Sequence, residues 1–438
     1  MSEQILIVLN FFLNLYQEWY PYFLVIGEIF KNFWWILPPI ILFNPLRFWY
    51  LLYIQTKWFK KTKWQVLEIK IPREVTKPLK AMENVFSILW GTYDAPNFKE
   101  KWIEGKFLLG FSLQIASLEG VPHFFMRINK ALQKTFESAF YSQFPDIEII
   151  EVDDYTQSVP QDVPNDEWDL WGCNHMPLKN DVYPIKTYQK FFEERPEVAK
   201  EEKRIDPLAT LLEAMTRLGK GEHLWIQFLV TPITPAEDDY IKRGKEVVNK
   251  IVKRPEKPKQ KPMIQEAAEV LFTGKPPQAK SKEEAIIPPE MKLTPGEREI
   301  VAAIEEKISK NAFRTCIRFI YLAKRDVFFG AAKSIPMTFF SQFSTQNLNG
   351  LKPWSKTITK VQAPNIFTQR RLYLKKREMF KRYVSRDTPF SPFPGGTFIL
   401  NTEELATLYH LPGIEAAPAL GFERVEIKRG APPAKLPI

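Results

Sequence analysis

The feature that most constrains this chain is a change of period at residue 64. Trp64 to Ile71 (WQVLEIKI) alternates apolar with polar side chains, the two-residue repeat of a half-buried strand. The stretch that follows Pro78, LKAMENVFSILWG, instead places Leu79, Met82, Phe86 and Leu89 on one helical face. Phe107 to Leu118 and Pro122 to Ile128 read as strands joined at Glu119-Gly120. The helix Lys130 to Gln143 and the strand Ile147 to Val152 complete the run. The order βαββαβ predicts a ferredoxin-like α+β module over residues 64–158, with two helices on one face of a four-stranded antiparallel sheet.

A second α+β block is expected over 165–252. Its parts are a strand at Trp168 to Leu178, a helix at Pro207 to Leu218 opened by Asp206, and a strand at His223 to Val230. A helix opened by Pro235 and running to about Val252 closes the block. Seven prolines between 253 and 292, in a chain that holds 36 in all, forbid regular structure over most of that stretch and mark a Pro/Lys-rich linker. One short apolar helix, Met263 to Phe272, could dock within it. Order resumes with Thr294 as cap, Pro295 as first helical residue and Glu297 three places on, then a strand at Phe313 to Ala323 and helical spacing from Val327 to Phe343. Residues 293–350 thus continue the second block. If they complete it, the chain holds two related modules in tandem.

The first 63 residues have a different composition. Phe33 to Ile54 is about the length that crosses a hydrocarbon core of roughly 30 Å, with Arg47 as its single charge. Trp34, Trp35, Trp49 and Tyr50 sit towards its ends, and Lys57, Lys60, Lys61 and Lys63 follow. This pattern predicts a transmembrane anchor over 1–63 of one or two helices, the apolar stretch Ile5 to Gly27 being a second span or an interfacial helix. The lysines predict that the long part after the anchor lies in the cytoplasm. Membrane lipid is the partner this reading implies.

Chemistry is sparse. No segment has the spacing of a phosphate-binding loop, and no nucleophile elbow occurs. The two cysteines, Cys173 and Cys316, exclude a disulfide framework, and among the four histidines only Cys173-x-His175 has short metal-ligand spacing. A packed cysteine and imidazole is the plainer account of that pair. The expectation is a protein that is not an enzyme and has neither a metal nor a cofactor.

Charge is concentrated in one place. The chain carries 61 lysines and arginines against 51 acids, a net charge of +10. Arg370, Arg371, Lys375, Lys376, Arg377, Lys381 and Arg382 crowd into Asn365 to Val384 with only Glu378 opposing them. Tyr373 and Phe380 are interleaved and could stack on bases or enter a headgroup layer. DNA and lipid are candidate ligands of this helix. The alternative is a solvated helix packed through Leu372, Met379 and Tyr383.

The last stretch, 351–438, contains FILNTEELATLYHLP at Phe398 to Pro412, then Glu426-Ile-Lys-Arg-Gly-Ala-Pro-Pro and Leu436-Pro437-Ile438. It resembles the region preceding the motor domain in type IV secretion and conjugative DNA-transfer ATPases. The chain as a whole is similar to an uncharacterised bacterial membrane-protein family through WQVLEIKIPREVTKPLKAMENVF, Asp169-Leu-Trp-Gly, Tyr183-Pro-Ile-Lys-Thr-Tyr, Arg318-Phe-Ile-Tyr and FSTQNLNG. These resemblances imply a non-enzymatic scaffold anchored in a bacterial inner membrane that partners a separately encoded secretion-type ATPase; DNA, through the basic helix, and a homo-oligomer are further candidate partners. The alternative is a membrane-associated nucleic-acid-binding protein acting through 365–384.

Overall fold

The computed structural model describes residues 37–72, 79–191, 206–252, 293–361, 367–387 and 395–413, with isolated positions between 16 and 35. The linker expected at 253–292, the short helix within it, Trp34, most of the apolar stretch Ile5 to Gly27 and the segment after Gly413 lie outside the described residues. The chain divides into two units. One comprises 1–62 with 95–108, and the other 63–94 with 109–438.

In the smaller unit, Leu37–Lys61 forms one 25-residue helix, α1. Among the described residues, no helix is long and apolar enough to cross a membrane, and this overturns the transmembrane anchor expected over 1–63. The physical reason lies in the run itself. Pro38, Pro39, Asn44, Pro45 and Arg47 interrupt the aliphatic residues, and Gln55, Thr56, Lys57, Lys60 and Lys61 end the helix in polar turns. The 95–108 loop folds on α1 through Phe107, whose ring meets Trp58 at 5.5 Å and Phe59 at 6.1 Å. Gly105 makes the closest approach. Its φ is +78°, and a Cβ there would lie 2.4 Å from the Ile54 carbonyl oxygen, so only glycine fits.

The larger unit is built on an antiparallel nine-stranded sheet. Its first part follows the alternation in the sequence as β1 (Trp64–Lys70), α2 (Leu79–Trp90), β2 (Phe111–Leu118), β3 (Val121–Asn129), α3 (Gln133–Gln143) and β4 (Glu148–Val152). The second part is β5 (Trp168–Pro177), α4 (Ala209–Thr216), β6 (Glu222–Ile233), α5 (Tyr240–Val252), α6 (Pro295–Ser309), β7 (Ala312–Lys324), α7 (Ser334–Ser341) and β8 (Leu351–Pro353). The strands run in the order β4-β1-β3-β2-β6-β7-β5-β8. Each half therefore has its first and third strands in the middle, the order of the split βαβ unit, and the second half mirrors the first. The halves share one sheet because β2 and β6 pair along their length, with Gln114 opposite Gln227 and Ile115 opposite Ile226. In the first half Glu119 and Gly120, both at positive φ, turn β2 into β3. In the second, α5, residues 253–292 and α6 stand between the paired strands β6 and β7.

Local chemistry explains the ends of these elements. Thr294 and Glu297 form a reciprocal capping box that starts α6, with Pro295 at its first position. The strand expected at His223 to Val230 runs on through Pro232, which lies inside β6 opposite Phe313.

Both faces of the sheet are covered. On one, Leu113, Ile115, Met126, Ile226, Phe228 and Phe319 pack beneath α2, α3, α4, α7 and the short helix α9 (Thr402–Leu408). On the other, Val66, Phe125, Trp225, Ile320 and Leu322 pack beneath residues 155–163 and the long helix α8 (Thr368–Ser385). The last strand, β9 (Phe398–Asn401), pairs with the start of β7.

Candidate functional site

The basic helix divides its length between two tasks. Its second half belongs to the core. Met379, Phe380 and Tyr383 are buried on the sheet, so Phe380 is packing and does not stack on a ligand at the surface. The Tyr383 ring meets Trp225 at 5.5 Å, and its hydroxyl shares a 2.8 Å hydrogen bond with that of Tyr155, which itself stacks on Phe125. Gln227 donates its amide to the Tyr383 carbonyl at 3.1 Å.

The carboxyl end of α8 is held by arginines. Arg318 on β7 is fully buried and donates its guanidinium to the carbonyls of Arg382 and Asp387. Its charge thus faces the negative end of the helix, where a cation is favoured. Arg386 follows in the left-handed conformation, φ +58°, and clasps Asp154 at 2.5 and 2.7 Å. Burial pushes the Asp154 carboxyl up, but hydrogen bonds and charge from Arg386, aided by Thr156, outweigh it and hold its pKa below the ordinary carboxylate value. Close by, Arg127 lies over the Trp64 ring at 4.5 Å, and burial together with the Arg386 charge lowers its pKa to about 10.

Most of the cations counted in the sequence are engaged by the fold. Lys376 pairs with Asp169 at 2.6 Å, Arg382 with Glu378 at 2.5 Å, and Arg377 donates to the Tyr373 hydroxyl at 2.7 Å. Lys375 donates to the Lys360 carbonyl at 3.2 Å. Arg370, Arg371 and Lys381 are exposed. The first turns of α8 also expose Phe367, Tyr373 and Leu374, apolar side chains that a helix packed only on its own core would bury. This outward face, cationic and apolar together, is the candidate site.

The Cys173 and His175 pair resolves as packing. Cys173 and His175 are both buried on β5, and the imidazole contacts the rings of Phe340 at 4.1 Å and Phe319 at 5.5 Å. Burial lowers the His175 pKa to about 3 and pushes the Cys173 thiol up. Among the described residues no group of three or more histidine, cysteine or acidic side chains could hold a metal ion. Trp35, Trp49, Tyr50, Lys60 and Lys61 are exposed in the smaller unit.

Sequence reasoning missed the buried ionic cluster around α9. Asn401 and Glu404 cap that helix reciprocally, and the Glu404 carboxylate also accepts from the Ile185 amide and pairs with Lys307 at 2.9 Å. Burial raises the Glu404 pKa, and Lys307 opposes the rise. Lys310 joins Glu403 to Glu83 on α2, while Asp206 binds His410 at 2.9 Å. The cavity beside this cluster, lined by Asp181, Tyr240, Lys307 and Asn401, has a volume of about 10 Å³, room for a single water molecule. The stretch Phe398 to Pro412 is therefore a buried clamp.

Residues 111–417 match the sequence family described as "Domain of unknown function (DUF8128)". The chain belongs to this family. The match begins with the first residue of β2 and runs past α9, so it takes in the second half of the sheet, α8 and the buried clamp. No curated protein matches the chain.

Proposed function

We propose that the protein is a non-catalytic docking component, with the sheet as a rigid platform and the outer face of α8 as the recognition element. The observation that carries this reading is the division of α8. Met379, Phe380 and Tyr383 anchor one half in the core, while Phe367, Arg370, Tyr373 and Leu374 are presented to solvent. An apolar centre with a cationic rim is the composition of a protein interface, where aromatic residues and arginine supply most of the binding energy. The partner is a separately encoded secretion-type ATPase, offering an apolar surface with acidic residues around it. The resemblance of Phe398 to Pro412 to the pre-motor region of such ATPases supports this choice of partner.

Affinity capture with the full chain tests the reading. The expected result is recovery of a phosphate-loop ATPase, identified by mass spectrometry, and its loss with Arg370→Glu combined with Leu374→Ser. Capture that is indifferent to these substitutions overturns it.

Nucleic-acid binding is the second reading, favoured by exposed Arg370, Arg371 and Lys381. It predicts DNA affinity that falls steeply with salt and is lost when these three are reversed. Lys375, Lys376 and Arg382 make poor probes of it, because each is half-buried.

A further inference from the structure

The smaller unit presents an apolar surface that the docking face on α8 leaves unexplained. Leu42, Leu46, Trp49 and Tyr53 recur at the four-three-four spacing of one helical face of α1. Leu46, Trp49 and Tyr53 are 64%, 65% and 66% exposed. On the other side of the helix Ile54 is buried and Trp58 packs on Phe107. Tyr50 donates its hydroxyl to the Trp102 carbonyl at 2.9 Å, fixing the 95–108 loop, whose Phe98 and Ile103 are themselves exposed. Around these side chains Lys57, Lys60, Lys61, Lys99 and Lys101 are exposed, and of the two acids in the loop Glu100 is engaged by Lys106 at 3.3 Å and Glu104 is exposed.

We propose that α1 and the 95–108 loop form a docking surface for an anionic lipid bilayer, the helix lying along the headgroup layer without crossing it. Exposed tryptophan and tyrosine beside aliphatic residues match the boundary between headgroups and acyl chains, where one end of the ring is apolar and the other wet. The lysines add attraction to anionic headgroups within a Debye length of the surface. Charge complementarity selects lipid over a second copy of the chain, because among the described residues of this unit the exposed lysines at 57, 60, 61, 99 and 101 outnumber the exposed acids, Glu28 and Glu104. The middle of the helix selects the flat geometry. Asn44, Pro45 and Arg47 are exposed there, and crossing would carry a guanidinium, an amide and the carbonyl freed by Pro45 into hydrocarbon, whereas lying flat leaves them in contact with water.

The test is flotation of the full chain with extruded vesicles, one set made of equal parts phosphatidylcholine and phosphatidylglycerol and the other of phosphatidylcholine alone. The expected result is flotation with the anionic set. Affinity should fall roughly five-fold for each of Lys57, Lys60 and Lys61 changed to glutamine, and flotation should be lost in the double variant Leu46→Ser, Trp49→Ser. All these side chains are exposed, and far-ultraviolet circular dichroism matching the wild type establishes that the variants are folded. Failure of the wild type to float, or flotation unchanged in both sets of variants, overturns the proposal. So does a double variant that changes only the oligomeric state, which assigns the stripe to a second copy. Retention on the vesicles through an alkaline carbonate wash overturns the flat geometry. The result is independent of ATPase capture, which reads α8.

Discussion

Asp154 and Arg386 stand 232 positions apart in the chain and meet in a two-point ion pair that fastens the carboxyl end of α8 to the segment after β4. The arginine is nearly enclosed and the carboxylate about a quarter exposed, so neither partner can be removed without leaving the other poorly solvated. With Arg318 beside it, this contact converts a run of basic residues into a tertiary latch.

Replacing Asp154 by asparagine leaves the Arg386 charge buried without its counter-ion, and should cost about 3 kcal/mol in urea denaturation at neutral pH. The pH dependence follows from the direction of the shift. The folded-state pKa lies below the unfolded value, so the stabilisation is complete above the ordinary carboxylate range. It is lost as pH falls from that range through the folded pKa. The asparagine variant should lack this part of the acid sensitivity.

Arg318→Leu is expected to destabilise by about 2 to 3 kcal/mol, because the carbonyls of Arg382 and Asp387 lose their donor. Hydrogen exchange should accelerate first in residues 379–387. Exchange that rises uniformly across the sheet would contradict the latch.

Tyr383→Phe removes the 2.8 Å bond to Tyr155 and leaves that buried hydroxyl unpaired, a loss of about 1 to 2 kcal/mol. Tyr383→Ala also opens a cavity beside Trp225 and should cost about 3 to 5 kcal/mol. Comparing the two by chemical denaturation separates hydrogen bonding from packing.

His175 stays neutral in the folded chain down to about pH 3, whereas in the unfolded chain it binds a proton near its ordinary value of about 6.5. Its contribution is therefore full above that value and declines as pH falls towards the folded pKa. The slope is about 1.4 kcal/mol per pH unit for this one group. Denaturation midpoints at pH 7 and pH 5 should differ accordingly, and His175→Leu should remove that share of the difference. An unchanged difference would place the proton uptake on His223, whose pKa burial also lowers.

Elements whose cause is local were legible in the residues. The Thr294 and Glu297 box and the alternation of Trp64–Lys70 depend on neighbours a few positions away. The transmembrane reading failed for a related reason. A dense aromatic and aliphatic run has the length of a span, but the prolines, Asn44 and Arg47 within it make a helix that does not qualify as one. The candidate site was legible as a cluster of charge but not as a surface. Whether Lys376 or Arg370 faces outward depends on Asp169, which lies 207 positions from Lys376.

By itself the sequence determined most strands and helices and the capping box at Thr294, because backbone hydrogen bonding and side-chain period act over a few residues. Tertiary structure decided that β2 and β6 would join two modules into one sheet, that Phe398 to Pro412 would be enclosed, and which cations of α8 would remain at the surface. Those outcomes depend on partners brought together only by burial, where an isolated charge is so costly that it takes whichever carboxylate or carbonyl the packing supplies.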